Sequence, residues 1–182
     1  MTLTDAERMN YATAEPDDRY RIAATARTKL PVIKTIVDQH PDDQVLVIGA
    51  YLDQLDDIAA ELGDVPIVQG STTTRERERL YDAFRAGEQR VLVVSKVANF
   101  SIDLPEAAVA VQISGTFGSR QEEAQRLGRV LRPKHDGRQA HFYTVVARDT
   151  LDAEYAAHRQ RFLAEQGYAY TITDADDLLH PL

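Results

Sequence analysis

The sequence predicts an α/β fold: a three-layer α/β/α sandwich built on a mainly parallel sheet. Three observations predict it. Short all-apolar runs recur along the chain, amphipathic helical segments separate them, and 182 residues suffice for one domain with a sizeable core. An apolar run bounded by turn residues is the pattern of a strand buried on both faces, and helices alternating with such strands imply right-handed βαβ units.

The elements follow in order. Residues 25–39 place Leu30, Ile33, Ile36 and Val37 at helical spacing, with Pro31 tolerable only near the helix start. QVLVIGA is the first strand, and LDQLDDIAAEL is an amphipathic helix closed by Gly63. PIVQG is a short strand. Residues 71–74 offer caps for the helix TRERERLYDAFRAG, which stops at Gly87. RVLVVS and AAVAVQIS are further strands, QAHFYTVVA is another, and a last helix runs over 150–166 to Gly167. The expected division is an N-terminal extension (1–24), one α/β domain (25–172) and an acidic tail (173–182).

Composition excludes several classes. The absence of cysteine removes disulfides, thiolate metal sites and thiol nucleophiles. The five histidines are scattered without ligand spacing, so no metal site is assigned. No apolar run approaches the roughly 20 residues of a membrane helix, and MTLTDAERMN lacks a signal-peptide core. A soluble, cytoplasmic protein with no membrane partner is expected. The net charge of −8 argues weakly against indiscriminate nucleic-acid binding, yet the charge is uneven. Arg120, Arg126, Arg129, Arg132, Lys134 and Arg138 outnumber Glu122, Glu123 and Asp136 within residues 120–138.

That basic strip holds the most informative segment, GSRQEEAQRLGRVLRPK at 118–134. As a helix it sets Gln125, Arg129 and Arg132 on one stripe, since positions i, i+4 and i+7 fall within roughly 60° of each other. Ala124, Leu127 and Leu131 face the other way, toward burial. Arginine binds phosphate better than lysine because its planar fork is always charged and grips two oxygens. A solvated charged face is the competing reading. Gly128 counts against it, because a mid-helix glycine costs about 1 kcal/mol and marks a close approach. In an α/β sheet, ligands bind beyond the carboxyl ends of the strands. The segments leaving those ends here are 49–53, 70–74, 95–103 and 114–120, all rich in small, polar or charged residues. Arg75, Arg77 and Arg79 alternate with Glu76 and Glu78 and read as a solvated, salt-bridged face. Tyr168 and Tyr170 read as packing the C-terminal tail.

SKVANFSIDLPEAAVAVQIS followed by GSRQEEAQRLGRVLRPK resembles motifs V and VI of superfamily 2 helicases, and more narrowly the XPB family of DNA repair helicases. QVLVIGAYLDQL stands at the place of motif IV, and IVQGSTTTRERERLYDAF at the segment after it. The resemblance runs over roughly residues 25–172. It implies a RecA-like second motor lobe, which clamps ATP against a first lobe while gripping single-stranded DNA. By resemblance Arg129 and Arg132 are arginine fingers to the γ-phosphate, and Gln125 orders that phosphate and the attacking water. Asp103 matches an acid that contacts the nucleotide ribose or links to the arginines; an Asx turn is its alternative. Ser95, Lys96, Gly70 and Thr72 match contacts to the nucleic-acid backbone, with a local turn cap as the alternative for Ser95.

The chain has no Gly-Lys and no Asp-Glu dipeptide, so it carries neither a P-loop nor a DExH element. The resemblance assigns these, with most of the hold on ATP and Mg²⁺, to the first lobe. The expected partners are therefore that lobe and single-stranded DNA, and the chain alone is expected not to hydrolyse ATP. The alternative function is a non-hydrolysing docking or DNA-binding module for a repair partner such as a nuclease.

Overall fold

The structure, a computed structural model, describes residues 1–95, 107–115, 140–165, 167 and 169–180. Five strands form one sheet: β1 (Val45–Gly49), β2 (Ile67–Val68), β3 (Val91–Ser95), β4 (Val109–Gln112) and β5 (His141–Thr144). Every pairing is parallel and the spatial order is β2-β3-β1-β4-β5. All five strands expected from the apolar runs are present, in the parallel arrangement that βαβ alternation predicts.

The two-residue period of the strands sorts the core into two layers. Val45 and Val47, Val91 and Val93, and Val109 and Val111 face one side. There they meet α3 (Lys29–Asp38) and α4 (Leu52–Glu61) through Ile33, Ile36, Leu55 and Ile58. Leu46, Leu92, Val94 and Ala110 face the other side, where α5 (Thr74–Ala86) supplies Leu80, Tyr81 and Phe84. Each such aliphatic or aromatic side chain contributes about 1.5–3 kcal/mol by leaving water.

Local chemistry sets the helix ends. Thr73 caps α5, its hydroxyl accepting from the Glu76 amide at 3.3 Å. Gly87 closes that helix at φ 79°, the left-handed conformation that glycine adopts without a Cβ penalty. Pro31 sits in the first turn of α3, where its missing amide breaks no intrahelical bond.

The chain ends are more structured than their polarity suggests. Residues 5–24 form α1 (Asp5–Thr13) and α2 (Pro16–Ala24). Thr4 and Glu7 make a reciprocal capping box at the start of α1. Leu3, Ala23 and Ala26 pack with Ala147, and the Tyr11 hydroxyl accepts from the Leu151 amide at 2.9 Å, opening α6 (Leu151–Glu165). In the acidic tail, α7 (Ala175–Leu179) buries Ala175 against the α3 side of the core. Tyr170, expected to pack the tail, is instead exposed, because the segment from 169 to 174 runs outside the packed layers without helical or strand pairing.

Candidate functional site

Three of the residues singled out from sequence, Gly70, Thr72 and Ser95, lie at the carboxyl ends of the strands. Gly49 ends β1 and lies in register with Ser95, which ends β3 and is buried. A side chain at Gly49 would not fit: a Cβ there would stand 2.8 Å from both Ile113 Cδ1 and Leu55 Cδ2. The side chains of Ile113 and Leu55 therefore pack directly over the Gly49 backbone at this edge. On the far side of β3, Val68 of β2 pairs with Val94, so the turn holding Gly70 and Thr72 begins beside Ser95.

That turn is locked by its own polar groups. The Thr72 amide donates to the Gln69 carbonyl at 3.0 Å, while the Gln69 amide donates to the Thr72 hydroxyl oxygen at 3.0 Å. With its oxygen committed to accepting, the Thr72 hydroxyl keeps its proton to donate outward. Gly70 is exposed at the tip. This arrangement suits a phosphate oxygen approaching the turn.

Arg77 corrects one expectation. Arg79 does belong to a solvated face, forking onto Glu76 at 2.6 and 2.9 Å. Arg77 does not: its guanidinium turns in to donate to the carbonyls of Thr72 (3.2 Å) and Gln69 (3.5 Å). The reason is helical phase. Arg77 lies four residues before buried Tyr81 and four after the cap Thr73, on the inward flank of α5.

Beside Gly49 the loop after β1 carries Tyr51, half-buried, with the Arg21 guanidinium 5.6 Å from its ring centroid. Arg21 also donates to Asp53 at 2.8 Å, and this bond holds the Asp53 carboxyl below its usual range. Burial pushes the Tyr51 phenol up.

Sequence reasoning missed a buried polar network under the tip of β4. Lys29 of α3 is wholly buried, and its ammonium donates at 2.7 Å to the Ile113 carbonyl and at 2.7 Å to Asp152 of α6. Asp152 also accepts from the Ala147 amide at 3.0 Å. Burial pulls the Lys29 ammonium below the usual lysine range, and the adjacent carboxylate opposes that pull. One residue on, the Ser114 hydroxyl accepts from the Ala50 amide at 2.8 Å. Next, the Tyr20 hydroxyl donates to the Gly115 carbonyl at 2.5 Å and accepts from the Gly115 amide at 3.0 Å. Burial raises the Tyr20 phenol to about 12, so it stays protonated and able to donate at neutral pH. The available sequence signals were a lysine opening an apolar helix and an aspartate in the first turn of another. They are 123 residues apart, and nothing local joins them.

Of the sequence-predicted residues, Ser95, Gly70 and Thr72 share one edge. Lys96, Asp103, Gln125, Arg129 and Arg132 lie outside the described residues, as does Tyr168.

The family model described as "ERCC3/RAD25/XPB C-terminal helicase" matches residues 2–179. The chain is 75% identical over 181 residues to "DNA 3'-5' helicase XPB" of Mycobacterium tuberculosis, covering 100% of this chain and 33% of that protein. It is 38% identical over 151 residues to the "General transcription and DNA repair factor IIH helicase/translocase subunit XPB/SSL2" of Saccharomyces cerevisiae, covering 80% of this chain and 18% of that protein. The chain thus spans a third or less of the length of these relatives. Among solved structures, S. cerevisiae Dbp5 bound to RNA and ADP BeF3 superposes with a TM-score of 0.66 at 22% identity, over 82% of this chain and 39% of that one. The sheet and its flanking helices share that fold.

Proposed function

The chain belongs to the ERCC3/RAD25/XPB C-terminal helicase family, and from that premise we propose that it is the second motor lobe of an ATP-dependent DNA helicase or translocase acting in DNA repair. The observation that carries this reading is the family match over residues 2–179, which runs through Gln125, Arg129 and Arg132. The sheet supports it: Gly115, the last described residue before that motif in the sequence, lies at the same carboxyl edge as Ser95, Gly70 and Thr72.

In this reading Arg129 and Arg132 present guanidinium groups to the γ-phosphate of an ATP cradled by the first lobe. Charge spreads over the phosphoryl oxygens in the transition state, and fixed cations stabilise that state more than the ground state. Gln125 orients the attacking water, and Asp103 contacts the ribose or ties the arginines. Mg²⁺ would supply further charge neutralisation from the first lobe. The described residues of this chain contain no cluster of three or more His, Asp or Glu side chains able to hold a metal. Thr72, the Gly70 turn, Ser95 and Lys96 contact phosphates of single-stranded DNA, because translocation must tolerate any base sequence.

The test is Arg132→Ala in the two-lobe protein. An arginine finger is worth roughly 10³–10⁵ in turnover, so hydrolysis should fall by about that factor while DNA binding persists. Normal turnover refutes the finger assignment. The chain without a first lobe should show no ATPase above background.

A further inference from the structure

Every residue between the end of β4 and position 116 is gripped by a polar group from a distant element. Ile113 is held through its carbonyl by Lys29 of α3, Ser114 through its hydroxyl by the loop after β1, and Gly115 through both backbone groups by Tyr20 of α2. The grips are built inside the protein: Lys29 is 0% and Tyr20 7% exposed. A strand tip needs no such device for burial alone, because Ile113 already packs in the apolar core. Buried polar groups cost stability unless fully partnered, whereas fully partnered they fix one geometry.

Tyr20 makes the narrowest contact. Its hydroxyl is both donor and acceptor to one residue, which defines the position and the tilt of the Gly115 peptide groups. Its ring is braced by Tyr155 of α6 at 4.9 Å between centroids. A Cβ at Gly115 would stand 2.7 Å from Arg159 Nη1, so the end of that arginine side chain would have to shift. Ten residues beyond Gly115 comes Gln125, followed by Arg129 and Arg132.

We propose that Tyr20 is a positioning residue for ATP hydrolysis: by fixing Gly115, it sets the root of the segment that carries Gln125, Arg129 and Arg132. The inference rests on the arginine-finger reading above. The helices preceding the sheet thereby take part in the reaction without touching nucleotide. The physical basis is the steepness of catalysis with geometry, where a misplacement of about 1 Å costs on the order of 10²-fold in rate.

The experiment uses the two-lobe protein carrying Tyr20→Phe, with Tyr11→Phe as a control that removes a hydroxyl bonded to Leu151 elsewhere in the same helical layer. Arg132→Ala is the reference. For Tyr20→Phe, DNA-stimulated kcat should fall about tenfold. KM for ATP and affinity for a single-stranded oligonucleotide should stay within about twofold, because the loss belongs to the transition state. Tyr11→Phe should leave kcat unchanged. A Tyr20→Phe protein with unaltered kcat, or an equal loss in Tyr11→Phe, overturns the positioning role. If Arg132→Ala loses hydrolysis while Tyr20→Phe does not, only this inference fails. If Arg132→Ala hydrolyses normally, the finger reading fails and takes this one with it.

Discussion

Replacing Lys29 with methionine should destabilise the domain far more than the loss of one salt bridge suggests. The side chains of Lys29 and Asp152 are 0% and 2% exposed, with nitrogen and oxygen 2.7 Å apart. At an effective dielectric of about 20 their attraction is about 6 kcal/mol, most of which desolvation of the two charges cancels. Lys29→Met leaves that desolvation of Asp152 in place and removes its compensation, which costs about 3–5 kcal/mol. It also orphans the Ile113 carbonyl, pushing the value toward the upper end. For a domain of this size that is a fall of about 10–15 °C in melting temperature, at about 2–4 °C per kcal/mol. The chain has no tryptophan, so urea titration followed by far-UV circular dichroism is the suitable assay. Lys29→Met combined with Asp152→Leu removes both charges and should be more stable than the sum of the single losses by at least about 2 kcal/mol. Asp152→Leu alone should be least damaging at high pH. Lys29 is already displaced downward from its ordinary value, so the unfolded chain binds the extra proton and stability rises with pH. A cost below about 1 kcal/mol for Lys29→Met, or strict additivity in the cycle, would refute the reasoning.

Two further outcomes follow from the same edge. Gly49→Ala must displace Ile113 or Leu55, both fully buried, so a loss of about 1–3 kcal/mol in the urea midpoint analysis is expected; a neutral result would show that the strand tips are looser than their packing indicates. The Tyr20 phenol is raised from 10.0 to about 12. A raised folded value gives a contribution that is complete below pH 10 and is lost as pH climbs toward 12. Alkaline titration should therefore cost the unsubstituted chain about 3 kcal/mol more than Tyr20→Phe across that window, and parallel curves would contradict the buried hydroxyl.

Apolar continuity determined the sheet from sequence. Val45–Gly49 and Val91–Ser95 are buried on both faces, and only a strand between two helical layers accepts side chains that are apolar on both sides. The cap at Thr73 and the stop at Gly87 were equally legible, because each acts within four residues. The Gln-Arg-x-Gly-Arg-x-x-Arg motif was read from sequence by resemblance, and Gln125, Arg129 and Arg132 lie outside the described residues. Helices α1 and α2 were not, since α1 buries no residue and α2 only Tyr20, Ala23 and Ala24, leaving no apolar period to read. Arg77 was misread because its partners are backbone carbonyls, which composition does not reveal. The grip of Tyr20 on Gly115 and of Lys29, paired with Asp152, on Ile113 was decided by tertiary structure alone. Periodicity records which face of an element is dry, whereas the pairing of one buried polar group with another across some hundred residues exists only once the layers have closed.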